Sequence, residues 1–178
     1  LRSYERASFY NPALESSLRA QIELLSKGDE ADRVRRTQSQ LDRLLKLPKP
    51  LIAVMDLISQ GKLLKAEDLC RKFMQKVPRN IDGMRLLADI GIRLGVLEDA
   101  EFLLESAVAF EPNNTEARID YIKALRKRQK YTKALDQAKQ LTISAPENLQ
   151  FQSIFAIECM QTGDFETAIE IFNDILKR

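Results

Sequence analysis

The chain has 178 residues, of which 30% are charged, and its formal net charge of +2 is close to neutral. This balance gives no general reason to expect nucleic acid or a membrane surface as the partner. Histidine is absent, which removes the usual general base and metal ligand, and the two cysteines have no metal-binding spacing. We therefore expect a non-enzymatic protein of a reducing, cytoplasmic compartment, with no cofactor and no membrane segment.

The first two segments are the least regular. Residues 1–12 end in Asn-Pro and are interpreted as the end of a helix pair, so we expect the chain to be a fragment of a longer protein. Residues 13–46 form a degenerate pair with a turn at Lys27–Asp29. The polar stretch 33–38 in its second helix is interpreted as a solvated face, with a basic docking strip as the alternative. The apolar positions at helical spacing are Leu14, Leu18, Ile22 and Leu25, then Val34, Leu41, Leu44 and Leu45.

From residue 47 onward the pattern becomes regular, with units at 47–80, 81–114, 115–148 and 149–178. Each unit predicts a first helix, A, and a second helix, B. We expect them near 50–60 and 63–77, 81–94 and 97–110, 115–128 and 131–144, and 149–161 and 165–176. Asn113, three residues before Glu116, is predicted to cap the first of the 115–148 helices.

The same residue types recur every 34 positions. The recurring residues are Ala66, Ala100, Ala134 and Ala168; Pro78, Pro112 and Pro146; and Gly61, Gly95 and Gly163, with Gln129 in the missing place. A fixed period of 34 with this punctuation resembles the tetratricopeptide (TPR) repeat. The resemblance implies an all-α fold, a right-handed superhelical solenoid of antiparallel helix pairs with a concave groove lined by the A helices. The absence of tryptophan and Gly91 in place of tyrosine are departures from the TPR pattern.

The core prediction follows from this register. We expect the four recurring alanines to be buried where A and B helices cross closely, because a larger side chain would have no room. Cys70 and Cys159 fall on core positions and are interpreted as small buried residues rather than nucleophiles.

The TPR resemblance also implies which side chains face the groove. They are Met55, Ile58, Arg85, Asp89, Arg93, Lys123, Arg126, Lys127, Ile157 and Met160. This set predicts a basic centre between apolar ends, suited to an acidic peptide or protein segment, with Asp89 paired to a neighbouring base. The alternative is that Arg126, Lys127, Arg128 and Lys130 form only a solvated helix end.

Three functions are compatible with these features. The first is a scaffold that binds a protein or peptide in its groove. The second comes from a narrower likeness: residues 28–32, 86–107 and 124–135 are similar to bacterial TPR–sulfotransferase proteins, which implies an accessory region of an enzyme whose catalytic domain lies outside this sequence. Single-stranded nucleic-acid binding is disfavoured because the groove lacks aromatic stacking residues. The apolar residues of the last helix also predict self-association through the terminal helices.

Overall fold

The structure is a computed structural model that describes residues 1–28 and 30–177, so Asp29 of the predicted turn and the final residue of the 149–178 unit lie outside it. The described residues form helices and connecting turns, with no strand among them. The chain divides into two compact units, residues 1–94 and 95–178. The predicted all-α class is confirmed.

The first unit contains six helices. They are α1 (Arg2–Tyr10), α2 (Glu15–Leu25), α3 (Ala31–Lys46), α4 (Lys49–Ser59), α5 (Leu63–Lys76) and α6 (Ile81–Leu94). Helix α2 packs against α1 and α3, and α4 packs against both α5 and α6. In the degenerate pair, Leu18, Leu41 and Leu44 form a buried cluster, whereas Leu45 is half exposed, which differs from its predicted core role.

The second unit contains five helices. They are α7 (Leu97–Phe110), α8 (Thr115–Lys127), α9 (Tyr131–Ser144), α10 (Leu149–Thr162) and α11 (Phe165–Leu176). Each helix packs against the next one along the chain. From residue 47 onward, every predicted helix end lies within one residue of the observed one.

The 34-residue period corresponds to specific structural positions. All four recurring alanines are fully buried, as predicted. The recurring glycines have positive φ, the left-handed conformation that closes a helix, and Gln129 adopts the same conformation with φ of 58°. The glycine position is therefore set by backbone geometry, and Gln129 occupies it despite the steric cost of its Cβ.

The helix caps follow a period that the sequence prediction missed. The cap of α8 is Asn114, and the prediction of Asn113 is wrong. The Asn114 side chain accepts a hydrogen bond from the Ala117 backbone N–H at 3.0 Å, because a capping side chain reaches the third helical N–H and α8 begins at Thr115. Asn80 and Asn148, each 34 residues away, accept equivalent bonds at the starts of α6 and α10.

Candidate functional site

The predicted groove residues of the first unit are largely occupied within the chain. Ile58 is buried on α4, the helix that packs against both α5 and α6, and Met55 packs against the leucine cluster between α2 and α3. Asp89 accepts a bond from Arg93 Nε at 2.9 Å, which is the predicted pairing with a neighbouring base. Arg85 Nη1 lies 3.4 Å from Asp82 Oδ1. Little unpaired charge therefore remains on this part of α6.

The predicted residues of the second unit are more accessible. Lys123 pairs with Asp120 at 3.0 Å, while Lys127 is exposed and has no ion-pair partner within residues 1–28 and 30–177. Ile157 is half-buried and Met160 is 45% exposed. The convergence of Arg85 and Arg93 with the basic residues of α8 would involve both units, and it stays a prediction.

Arg126 is held by a buried carboxylate that sequence reasoning did not single out. Its Nε lies 3.0 Å from Glu158 Oε1, and its Nη2 also bonds that oxygen. Glu158 is fully buried, whereas the Arg126 side chain is 36% exposed. The pair thus joins the A helices α8 and α10, while about a third of the Arg126 side chain remains exposed to solvent.

The second oxygen of Glu158 is an exception to the usual pairing of buried polar atoms. Oε2 is buried and has no hydrogen-bond partner in the described part of the chain. Most buried polar atoms have a partner, so such an atom calls for an explanation, and removing the one cation would leave the carboxylate wholly uncompensated. Arg126 is therefore part of the internal structure as well as of the exposed surface.

A signal for Glu158 was present in the sequence. Positions 34 and 68 residues earlier are Ala124 and Ile90, and all three positions are buried. A carboxylate replaces an apolar residue at a core position of the repeat, in the otherwise apolar run around Cys159. Aligning the repeats column by column would have identified it.

A second buried carboxylate, Glu101 on α7, corrects the interpretation of the neighbouring cations as a solvated helix end. Arg128 Nη1 and Lys130 Nζ lie 2.7 Å and 2.8 Å from its oxygens. Lys133 lies 3.8 Å from Glu101 and 2.8 Å from Glu105. Of the four cations in that interpretation, only Lys127 fits it, because the others bind carboxylates of this chain.

The Lys133–Glu105 pair shifts the titration of both groups. The hydrogen bond from Lys133 lowers the pKa of the Glu105 carboxyl, and the same bond raises the pKa of Lys133. The Lys133 ammonium also lies 5.5 Å from the centre of the Tyr121 ring, within cation–π range. These contacts connect α7, α8 and α9.

The cysteines behave as the sequence predicted. Both are buried, and burial raises the pKa of each thiol, that of Cys70 to about 11. Such thiols are protonated at neutral pH and are poor nucleophiles. In residues 1–28 and 30–177 no group of three or more His, Cys, Asp or Glu side chains could hold a metal ion, and no helix combines the length and apolar character needed to cross a membrane.

An open pocket of about 350 Å³ lies in the first unit beside α4, where Leu14 and Ile52 contribute apolar walls. Two of its three polar side chains are already paired, since Asn11 Nδ2 donates to Asp56 Oδ1 at 2.8 Å and Gln60 donates to the other oxygen of Asp56; the third is Lys49. The pocket therefore presents few free polar groups to a ligand.

Comparison with solved structures supports the fold. The chain is 17% identical to MamA (residues 41 to the end) from Desulfovibrio magneticus RS-1, with a TM-score of 0.64 over 92% of this chain and 93% of that one. It is 20% identical to YrrB, described as a TPR protein with an unusual peptide-binding site, with a TM-score of 0.60 over 98% and 91%. A tetratricopeptide repeat protein from Parabacteroides merdae ATCC 43184 is 15% identical, with a TM-score of 0.66 over 92% and 66%. At these identities the likeness shows the fold alone, and that fold is TPR-like, as predicted.

Comparison of the sequence with curated proteins and with family models gives a single family. No curated protein matches the chain significantly. The family model described as the cytochrome c-type biogenesis protein H TPR domain matches residues 69–178, which is more than half of the chain. TPR domains bind proteins or peptides, so the match supports an interaction scaffold and gives no support to the sulfotransferase resemblance. The chain belongs to the family of the cytochrome c-type biogenesis protein H TPR domain.

Proposed function

We propose that this TPR scaffold binds a polypeptide segment on the exposed surface of α8 and α10 in its second unit. The observation that carries the proposal is the Arg126 side chain, 36% exposed and fixed by the buried Glu158 of the neighbouring A helix. A donor that is already held in place loses less conformational entropy when a ligand binds. The proposed surface, named the α8–α10 face, consists of Lys123, Arg126, Lys127, Ile157 and Met160.

The chemistry of this face defines its ligand. Arg126 Nη1 makes no hydrogen bond within the described residues, so it can donate to a backbone carbonyl or a carboxylate of the ligand. Lys127 supplies an unpaired positive charge, and Met160 with Ile157 supplies apolar contact. The proposed ligand is an extended segment with one acidic residue next to apolar ones. Exposed charge pairs contribute less than about 1 kcal/mol each, so we expect modest affinity, around micromolar.

The test is to select peptides from a random display library on the purified chain and measure their affinities for three variants. Met160→Ala should weaken the selected peptides about tenfold and Lys127→Ala by less than about fivefold, and the loss at Lys127 should shrink as salt increases. Lys139→Ala is the control, because Lys139 is exposed on α9, outside the proposed face. Selected peptides that bind all three variants like the original chain would refute the α8–α10 face.

The family match carries a second candidate function. If the chain acts as its family name describes, the bound segment belongs to a c-type cytochrome during biogenesis. The test compares binding of a haem-free cytochrome c polypeptide with that of an unrelated unfolded polypeptide of equal length and charge. Equal binding of the two would count against this candidate while leaving the scaffold proposal intact. No observation favours the alternative role as an accessory region of a sulfotransferase-like enzyme.

A further inference from the structure

The Arg126 guanidinium has one occupied edge and one free edge. Its Nε and Nη2 both donate to Glu158 Oε1. A guanidinium carries five N–H groups, two of them on each Nη, so the edge between Nη1 and Nη2 has no hydrogen-bond partner within residues 1–28 and 30–177. Two parallel N–H groups on one edge can bind a carboxylate or a phosphate group. Geometry alone therefore does not decide which anion this edge binds.

The Arg126 side chain is accessible although it lies on an internal helix. Helix α8 packs against both α7 and α9, and the bond from Arg126 to Glu158 ties it to α10. With these contacts in place the side chain is still 36% exposed. This exposure therefore does not depend on either end of the sequence.

The charges around the free edge largely cancel. The fully buried Glu158 offsets the charge of Arg126, and Asp120 lies 3.0 Å from Lys123. Lys127 is exposed and has no ion-pair partner in the part of the chain that the structure describes. These three cations and two carboxylates give a net charge of +1. The face is therefore much less positive than its three cations suggest.

A ligand's own charge enters its binding free energy in two ways. Its attraction to the face grows in proportion to the ligand charge, whereas the cost of removing an ion from water grows with the square of that charge. A buried carboxylate behind the guanidinium lowers the attraction and leaves that cost unchanged. The balance shifts away from a phosphate group, which carries a charge of about −1.5 to −2 at pH 7, and toward a carboxylate with a single charge.

The bonding of Glu158 leaves its charge able to act in this way. Its Oε2 is buried and has no hydrogen-bond partner among the described residues. Glu101, by contrast, has three cations close to its two oxygens. The negative charge of Glu158 is compensated by Arg126 alone, so a ligand bound to the other edge of the same guanidinium is exposed to it.

We propose that Glu158 makes the α8–α10 face selective for a polypeptide segment that presents a carboxylate, and against one that presents a phosphate group. The inference rests on the proposed function and specifies the ligand class of the same site. Glu158 itself touches no ligand atom, because it acts through Arg126 and is fully buried. It is a specificity-determining residue of the face, in addition to holding Arg126 in place.

The experiment uses a peptide selected on the purified chain and compares three versions of it at one salt concentration and pH 7. One acidic position holds glutamate, phosphoserine or glutamine, and fluorescence anisotropy gives the affinities. The original chain should bind the glutamate version about threefold more tightly than either of the other two. Glu158→Gln keeps the size of the side chain and removes its charge. The ratio of phosphoserine to glutamate affinity should then rise about threefold or more.

The control is Asp136→Asn on α9, which also removes one negative charge from the second unit. Asp136 is exposed and lies outside the proposed face. This variant should keep the ratio of the original chain. An equal rise in both variants would mean that the net charge of the unit sets the ratio, and would overturn the inference.

The original chain decides the question even if Glu158→Gln does not fold. Binding of the phosphoserine version as tight as that of the glutamate version, or tighter, overturns the inference, and so does equal binding of the glutamine version. In each of these cases peptides still bind, so the proposed function survives. A selection that yields no binding peptide would instead overturn the proposed function, and the inference with it.

Discussion

Two regions of the second unit each contain a buried glutamate, and they differ in how many cations compensate the buried negative charge. Glu101 is surrounded by Arg128, Lys130 and Lys133, and both of its oxygens accept hydrogen bonds. Glu158 has one cation, Arg126, which binds one oxygen and leaves the other without a partner. A buried charge with several partners tolerates the loss of one, whereas a buried charge with one partner does not.

This difference indicates different roles. The Glu101 cluster, which consists of Glu101 and its three cations, joins α7 to α9 and to the turn between α8 and α9. Arg128 also pairs with Glu98, Lys133 also pairs with Glu105, and Lys130 is partly exposed to solvent. The Glu158 pair instead fixes a single partly exposed arginine side chain, that of Arg126, between two A helices. We therefore interpret Glu101 as a structural tie and Glu158 as the residue that orients Arg126.

The largest expected effect breaks the Glu158 pair. Arg126→Ala leaves a fully buried carboxylate with no cation, and we expect a loss of about 3 kcal/mol in the free energy of unfolding, measured by denaturant titration. Glu158→Gln in the same background removes the uncompensated charge and should recover more than half of the loss. If Arg126→Ala costs no more than an exposed lysine substitution, Glu158 is not held as described. Because Arg126 supports the fold, Lys127 and Met160 are better probes of ligand binding.

A smaller effect tests the redundancy around Glu101. Lys130→Ala removes one of its cations while Arg128 remains 2.7 Å away, so we expect a loss of about 1 kcal/mol or less. Lys130 is partly exposed, which further weakens its contribution. Thermal and denaturant unfolding compared with Arg126→Ala provide the measurement. Equal losses for the two variants would remove the distinction between the two regions.

Much of the fold could be predicted because the same residue types recur every 34 positions, and each recurrence supports the same structural assignment. A single alanine says little, but Ala66, Ala100, Ala134 and Ala168 at equal spacing identify one buried position in four pairs. The same period aligned Gln129 with the recurring glycines, and the structure gives it their left-handed conformation although glutamine itself has no preference for it. The period, rather than residue propensity, located these positions.

The candidate site could not be predicted as well, because its key contacts do not repeat. Arg126 and Glu158 are 32 residues apart, and Arg128 and Glu101 are 27 apart, so no common spacing connects them. The resemblance placed Arg126 on the groove face but could not indicate that a buried acid already binds it. Ile58 shows a second limit: the resemblance placed it on the groove face, whereas the structure has it buried on α4, the helix that packs against α5 and α6.

The turn between Arg128 and Lys130 allows the backbone to be separated from the ion pairs. Gln129 has φ of 58°, where a Cβ costs about 1–2 kcal/mol, while glycine loses about 0.5–1 kcal/mol more entropy on folding. Gln129→Gly should therefore stabilise the chain by about 0.5 kcal/mol. Gln129→Ala keeps the Cβ and is the control, for which no gain is expected. A destabilised glycine variant would mean that the glutamine side chain contributes to the Glu101 region.

The smallest expected effect is the pH dependence of stability that arises from the Lys133–Glu105 pair, beside Glu101. The pKa of Glu105 is lowered by the hydrogen bond from Lys133, so the stability that this pair contributes is present above the ordinary glutamate value of 4.5 and is lost as pH falls through the lowered value. The raised pKa of Lys133 means that the contribution is fully present below 10.5 and is lost only as pH rises through that raised value. Both side chains are about half exposed, so screening limits the effect to a few tenths of a kcal/mol. Glu105→Gln should lower the free energy of unfolding by that amount at pH 7 and by nothing measurable at a pH below the lowered pKa, where the original carboxyl is protonated. The same difference at both pH values would show that Glu105 acts through packing and not through its charge, and would leave Glu101 alone as the anchor of the three cations.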